Sequence, residues 1–287
     1  MLNIDGIIRK RETVTPGTQI ISTVKQLYSE EVIEKTIVEK ISYISGGLNI
    51  NGYIARPEEK GSFPVLIWNR GGNEEKGALD DLRAYLVLAS TAAWGYVVLA
   101  TQYRGNMGSD GVEDWGGEDL TDALNMIEVA KNLPECDTDR IAVEGASRGG
   151  MTTYRALLKY SKFKCALIHA GITDVPALIK ARPGFEQFIS ERYSDLTENE
   201  KAMELKDISA VHFADKLPKD VPILIMHGTN DTVVPVEQSK SLAVELEKHG
   251  VPHKLVLLDG GSHVALKDGT YREIDRHRRE WLETYLI

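Results

Sequence analysis

Gly145-Ala146-Ser147-Arg148-Gly149 follows the apolar run Ile141-Ala142-Val143 and precedes the helix-like stretch 151–160. A strand that turns abruptly into a helix at a serine lifts the hydroxyl clear of the backbone, as attack on a carbonyl requires. Glycine on either side removes Cβ atoms that would collide in so tight a turn. Ser147 is therefore the candidate nucleophile, and its setting predicts a parallel sheet whose strands feed helices.

Two later segments extend the pattern. Asp231 lies in His227-Gly228-Thr229-Asn230-Asp231 and His263 in Gly260-Gly261-Ser262-His263, each just past a strand-like run. Serine, acid and histidine in that chain order is the α/β-hydrolase order, different from that of the chymotrypsin and subtilisin folds. In the chemistry this predicts, His263 takes the proton of Ser147 during attack and passes it to the leaving group, while Asp231 orients the imidazole and stabilises its cation. An imidazole base works only while neutral, so activity is expected to fall below roughly pH 6.5 unless the site shifts it. The oxyanion requires two donors. One is expected from the N–H of Arg148, the other from the loop Asn69-Arg70-Gly71-Gly72-Asn73, where Gly71 or Gly72 lets the backbone come close. A turn without a chemical role is the alternative for that loop.

Apolar runs bounded by Gly and Pro predict eight strands, at 35–45, 48–56, 65–68, 96–102, 140–144, 165–169, 222–227 and 254–258. The first two alternate apolar and polar side chains around Gly46-Gly47, the signature of a half-exposed hairpin. The later ones are short and continuously apolar, as parallel strands covered on both faces are. Helical periodicity at 79–94, 120–131, 151–160, 236–249 and 271–285 supplies the crossovers. The expected architecture is a single α/β domain over 1–287 with a mostly parallel eight-stranded sheet, helices on both faces, and residues 1–60 as an N-terminal hairpin extension. Segment 174–219 is too long and too charged for a plain crossover, and is read as a small helical insertion after the sixth strand. Phe185, Phe188 and Tyr193 within it are candidates to line the acyl or leaving-group pocket. Holding the insertion to the body is their other reading.

The net charge of −9 over 287 residues argues against nucleic-acid or anionic-membrane binding, which require clustered Lys and Arg. Cys136 and Cys165 have no metal-ligand spacing and read as free thiols. No His and carboxylate cluster has zinc-ligand spacing, so neither metal nor cofactor is expected. Residues 1–15 contain no signal-peptide core and no run approaches 18 apolar residues, so a soluble cytoplasmic protein is expected. Among the other histidines, His227 is expected to pack beside the acid loop, while His169 and Asp174 flank a strand end without a nucleophile to serve. Oligomeric state is left open.

The stretch Tyr103-Arg104-Gly105-Asn106-Met107-Gly108, then Trp115-Gly116-Gly117-Glu118-Asp119 with Asp122, resembles the corresponding part of the prolyl oligopeptidase family. Segments 145–150, 227–235 and 261–263 are similar to that family's nucleophile, acid and histidine motifs, and the similarity runs from about Pro64 onward. The resemblance implies an α/β-hydrolase catalytic domain and matches Ser147, Asp231 and His263 to the family triad. Family members include oligopeptidases, dipeptidyl and acylaminoacyl peptidases, and some esterases. There are departures: no β-propeller is expected ahead of the hydrolase segment, no tyrosine stands in Arg70 to Asn73 to assist the oxyanion, Arg148 follows the nucleophile, and Glu144 precedes the elbow. Arg104 is expected to form an internal ion pair with Asp119 or Asp122. The implied function is a serine hydrolase cleaving short peptides or small esters through an acyl-enzyme. A carboxylesterase and a non-catalytic binding protein of the same fold are the alternatives.

Overall fold

The computed structural model describes residues 7–286, so residues 1–6 of the expected N-terminal extension lie outside the described residues. The chain divides into two compact units, 1–144 with 286–287, and 145–285. The described residues hold nine strands, one more than the eight expected.

In the first unit the strands are β1 (Ile8–Thr13), β2 (Thr36–Ser45), β3 (Leu48–Pro57), β4 (Phe63–Asn69), β5 (Val97–Thr101) and most of β6 (Cys136–Ala146), ordered β1-β2-β3-β5-β4-β6. Its helical segments are α1 (Thr18–Leu27), α2 (Glu31–Glu34), α3 (Asp81–Arg83), α4 (Ser90–Ala92) and α5 (Asp119–Lys131). The strand overlooked in the sequence is β1. It pairs antiparallel with β2, but its residues are charged and mostly exposed, so no alternating apolar signal marks it. Its attachment comes instead from ion pairs distant in sequence: Arg11 bonds Glu39 at 2.6 Å and Glu135 at 2.5 Å.

The β2–β3 hairpin turns at Gly46 and Gly47 with φ of 57° and 82°, and Ser45 pairs with Leu48. Two successive positive φ angles define the turn type whose twist matches the flanking strands, hence the glycines. β3 pairs antiparallel with β5, whereas β4 and β5 run parallel. The change of direction confines the parallel character to the strands after the hairpin. Every residue of β5 is buried, with α5 packed against both β4 and β5. Each Val or Leu so buried contributes about 1.5–3 kcal/mol. The helical run 81–92 contains a wider π-type stretch at Ala84–Ala89, almost all of it buried.

The second unit contains β7 (Ala166–His169), β8 (Ile223–Gly228) and β9 (His253–Leu258), parallel and adjacent in that order. Its helices are α6 (Arg148–Lys159), α7 (Val175–Ala181), α8 (Pro183–Arg192), α9 (Glu198–Asp207), α10 (Glu237–His249), α11 (Ala265–Asp268) and α12 (Tyr271–Tyr285). β8 is buried throughout; α10 packs on β8 and β9, and α12 on β8. The buried residues of α12, Tyr271, Ile274, Arg278 and Leu282, recur every three or four positions and form one inward face. α10 ends at Gly250 in the left-handed conformation, where glycine avoids a Cβ penalty. Helices α7, α8 and α9 form the segment after β7, and α9 starts with a capping box between Thr197 and Glu200. Among the described residues no helix is long and apolar enough to cross a membrane.

Candidate active site

The turn at Ser147 carries the backbone signature that its flanking glycines imply. Ser147 has φ 57° and ψ −122°, a conformation that costs a non-glycine residue about 1–3 kcal/mol and that survives only when surroundings enforce it. Those surroundings are hydrogen bonds: Ser147 N–H donates to His169 O at 3.0 Å, and Gly150 and Ile172 N–H donate to Ser147 O at 2.9 and 3.2 Å. A Cβ on Gly145 would sit 2.1 Å from Gly149 O, so the elbow admits no side chain there. Serine at a helix N-terminus ordinarily bonds its hydroxyl to the first-turn N–H groups. Here it does not cap α6, which leaves the hydroxyl for other work. Arg148 is the first residue of α6, where leading N–H groups point along the axis at the positive end of the helix dipole.

Asp231 lies beyond β8 and His263 beyond β9, and their loops are bonded to one another. Thr229 N–H donates to Leu258 O at 2.9 Å and Asn230 N–H to Gly261 O at 2.9 Å. A Cβ on Gly228 would lie 2.2 Å from Gly261 O, so glycine is what permits the approach. Across this seam His263 Nδ1 stands 2.7 Å from Asp231 Oδ2. A carboxylate only accepts, so the imidazole proton resides on Nδ1, and Nε2 presents a lone pair. The Asp231 side chain is fully buried, and that of His263 is 16% exposed.

Asp231 is held as an anion from both sides. Its Oδ1 accepts N–H bonds from Val233 and Val234, both at 2.8 Å. Burial alone would raise its pKa, but hydrogen bonds from His227 and His263 overcome that and hold it well below the usual carboxylate range. His227 is buried between Ser239 Oγ at 2.7 Å and Val234 O at 2.9 Å, with Nε2 3.4 Å from Asp231 Oδ2, and so packs beside the acid loop as expected. His169 has a buried, unbonded Nε2, and burial with the nearby charges of His263 and His227 lowers its pKa to about 3. It is a neutral neighbour of this cluster. Asp174 caps α7 by accepting from Ala177 N–H at 3.0 Å, a structural employment.

Phe185 and Phe188 lie on α8 and stack on one another with ring centres 5.7 Å apart. Phe185 is buried, with the Arg182 guanidinium 5.8 Å from its ring centre, and Tyr193 ends the helix. Arg182 also donates to Val233 O at 3.0 Å, joining the insertion to the acid loop. In the first unit, Gly72 has φ +77°, and a Cβ there would meet Lys76 O at 1.7 Å, so the turn itself requires glycine. Arg70, buried beside it, donates to Gln102 O, Gly71 O and Glu74 O and shapes the same loop. Arg104 pairs with Asp122, not Asp119, through bonds of 2.9–3.0 Å from its main-chain N–H, Nε and Nη2.

One residue near the histidine escaped the sequence reading. Asp268 accepts hydrogen bonds from Ser262 and Thr270, on either side of α11. The local pattern Asp-Gly-Thr at 268–270 is an Asx-turn signal and would have disclosed half of this arrangement.

The chain is 28% identical over 209 residues to the uncharacterized peptidase YtmA of Bacillus subtilis (strain 168), covering 72% of this chain and 79% of that one. It spans only about a third of the length of several other curated relatives. Among solved structures, the acylaminoacyl peptidase of Pyrococcus horikoshii superposes with a TM-score of 0.73 at 23% identity, over 87% of this chain and 42% of that one. Acetyl xylan esterase from Paenibacillus sp. R4 superposes with a TM-score of 0.69 at 19% identity, over 96% of this chain and 88% of that one. At such identities the two structures bear on the fold, which is the α/β-hydrolase fold. The family model described as the prolyl oligopeptidase family matches residues 82–287, a span that takes in the elbow and both loops of the bonded pair, and the chain is accordingly a serine hydrolase belonging to that family.

Proposed function

We propose that Ser147, His263 and Asp231 act as nucleophile, general base and orienting acid in hydrolysis of a short peptide or small ester through an acyl-enzyme. The observation that carries this reading is the 2.7 Å bond from His263 Nδ1 to Asp231 Oδ2, which dedicates one ring nitrogen to the acid and keeps the other basic. In the first step His263 Nε2 takes the Ser147 proton as Oγ bonds to the carbonyl carbon. The resulting imidazolium protonates the leaving group as the scissile bond breaks. Water then enters, gives a proton to His263, and attacks the acyl carbon to release the acid and restore Ser147. Asp231 stabilises the imidazolium in both halves while staying ionised.

The N–H of Arg148 is assigned as one oxyanion donor. Phe185, Phe188 and Tyr193 are assigned to the substrate pocket. The peptidase names of the relatives support a peptide substrate. The esterase reading has its own support in the chemistry of the leaving group. An ester needs less protonation of its leaving group than an amide does.

The test is turnover of a panel of short acyl esters, aminoacyl anilides and acyl-peptide anilides by parent and Ser147→Ala, with fluorophosphonate labelling alongside. The expected result is a drop of about 10⁶-fold in kcat and loss of labelling in the variant. Turnover equal to the parent overturns the nucleophile assignment. Amide cleavage without ester preference decides for peptidase.

A further inference from the structure

The loop that carries His263 is anchored firmly on one side only. Upstream, Gly261 is bonded to Asn230 and Leu258. Downstream, packing offers little: Val264 and Leu266 are 44% and 38% exposed, and α11 has no buried residue. What closes that side is one carboxylate. Asp268 Oδ2 accepts from the main-chain N–H of Ser262 at 2.6 Å and from its hydroxyl at 2.5 Å. Oδ1 accepts from the main-chain N–H of Thr270 at 2.9 Å and from its hydroxyl at 2.6 Å. Four donors thus converge on two oxygens and draw together the residue just before His263 and the residue just before α12.

We propose that Asp268 is a positioning residue for His263, a clasp that fixes the backbone from which the imidazole reaches between the acid and the nucleophile. The inference rests on His263 being the base. Its logic is mechanical: the bond to Asp231 fixes one ring nitrogen, yet the ring can still swing about that contact unless the main chain is held too. A displacement of about 1 Å in a catalytic group can cost on the order of 100-fold in rate. Only an anionic carboxylate suits the role. All four partners donate, and an amide would turn its own NH₂ toward one pair of them. Because Asp268 is exposed, the clasp has little part in the core.

The experiment compares parent, Asp268→Ala, Asp268→Asn, Ser262→Ala, Thr270→Ala and Ser147→Ala on one small ester, reading kcat and KM separately, with thermal midpoints. The expected result is a fall in kcat of about 10- to 100-fold in both Asp268 variants, with KM near the parent value. Ser262→Ala and Thr270→Ala each keep a main-chain donor, so a smaller fall in kcat is expected for them. A kcat for Asp268→Ala within twofold of the parent, with Ser147→Ala inactive, overturns the clasp. Full activity of Ser147→Ala instead overturns the assignment of the nucleophile on which the clasp depends. Should Asp268→Ala fail to fold, the two hydroxyl variants decide: lowered kcat at constant KM supports the clasp, and unchanged kcat rejects it.

Discussion

Two buried carboxylates, one in each unit, are satisfied to a similar degree, yet only one of them is bonded to an imidazole. Asp122 accepts from Arg104 at three nitrogens and from Ser45 Oγ at 2.6 Å, and its side chain has no exposure. Asp231, equally buried, accepts from Val233, Val234 and His263. The difference lies in the partner. A guanidinium only donates and keeps its protons at any working pH, so Arg104–Asp122 joins the loop after β5 to α5 without a lone pair to take up a proton. An imidazole whose Nδ1 is committed to a carboxylate retains a basic Nε2, and His263 keeps part of its surface open. A buried, well-bonded acid is therefore not evidence of chemistry. The spare lone pair on its partner is.

The comparison is broken most directly by Asp231→Asn. The amide would turn its NH₂ toward Nδ1 and favour the tautomer with the proton on Nε2, which removes the lone pair of the proposed base. We expect kcat to fall by about 10⁴-fold with the fold retained. Ester turnover at pH 8 together with circular dichroism checks this, and parent-like turnover would place Asp231 in the same class as Asp122. The converse change, Asp122→Asn, leaves the buried Arg104 charge without its buried counterion, with only the exposed Glu118 carboxylate at 3.6 Å. It should cost about 3–5 kcal/mol in urea-induced unfolding, a loss in stability as large as any single polar change here. A cost near zero would remove the structural half of the comparison.

The smallest effect concerns His169, a half-buried residue whose Nε2 is sealed from solvent with no hydrogen-bond partner. Its folded-state pKa is lowered from 6.5 to about 3 by burial and by the charges of His263 and His227. The unfolded chain therefore binds the proton first, and stability declines as the pH falls below 6.5, the decline ending near pH 3. Between pH 7 and pH 5 this amounts to about 2 kcal/mol. His169→Phe is expected to abolish that part of the acid sensitivity, which unfolding curves at the two pH values will measure. If the variant and parent lose the same stability on acidification, His169 is not the titrating group.

Much of this molecule was legible in the chain. The elbow at Ser147, the Gly46-Gly47 hairpin, the order of serine, acid and histidine, and the amphipathic α12 are each stated by neighbouring residues. Strand β1 was not, because Ile8–Thr13 is charged and exposed and is held by Glu39 and Glu135, the latter 124 residues from Arg11. The choice of Asp122 over Asp119 was equally hidden: both lie in the first turn of α5, both are buried, and only the direction each carboxylate faces separates them. Asp268 had a local turn signal, but its second pair of donors lies on the far side of α11.

By itself the sequence determined where the backbone must turn and which side chains must be inside, since those follow from sterics and periodicity among adjacent residues. Tertiary structure alone decided the pairings: which carboxylate meets Arg104, which ring nitrogen of His263 is occupied, and what clasps its loop. Hydrogen bonds and ion pairs depend on separations of a few tenths of an ångström, and those are set by how distant segments pack rather than by the order of residues within any one of them.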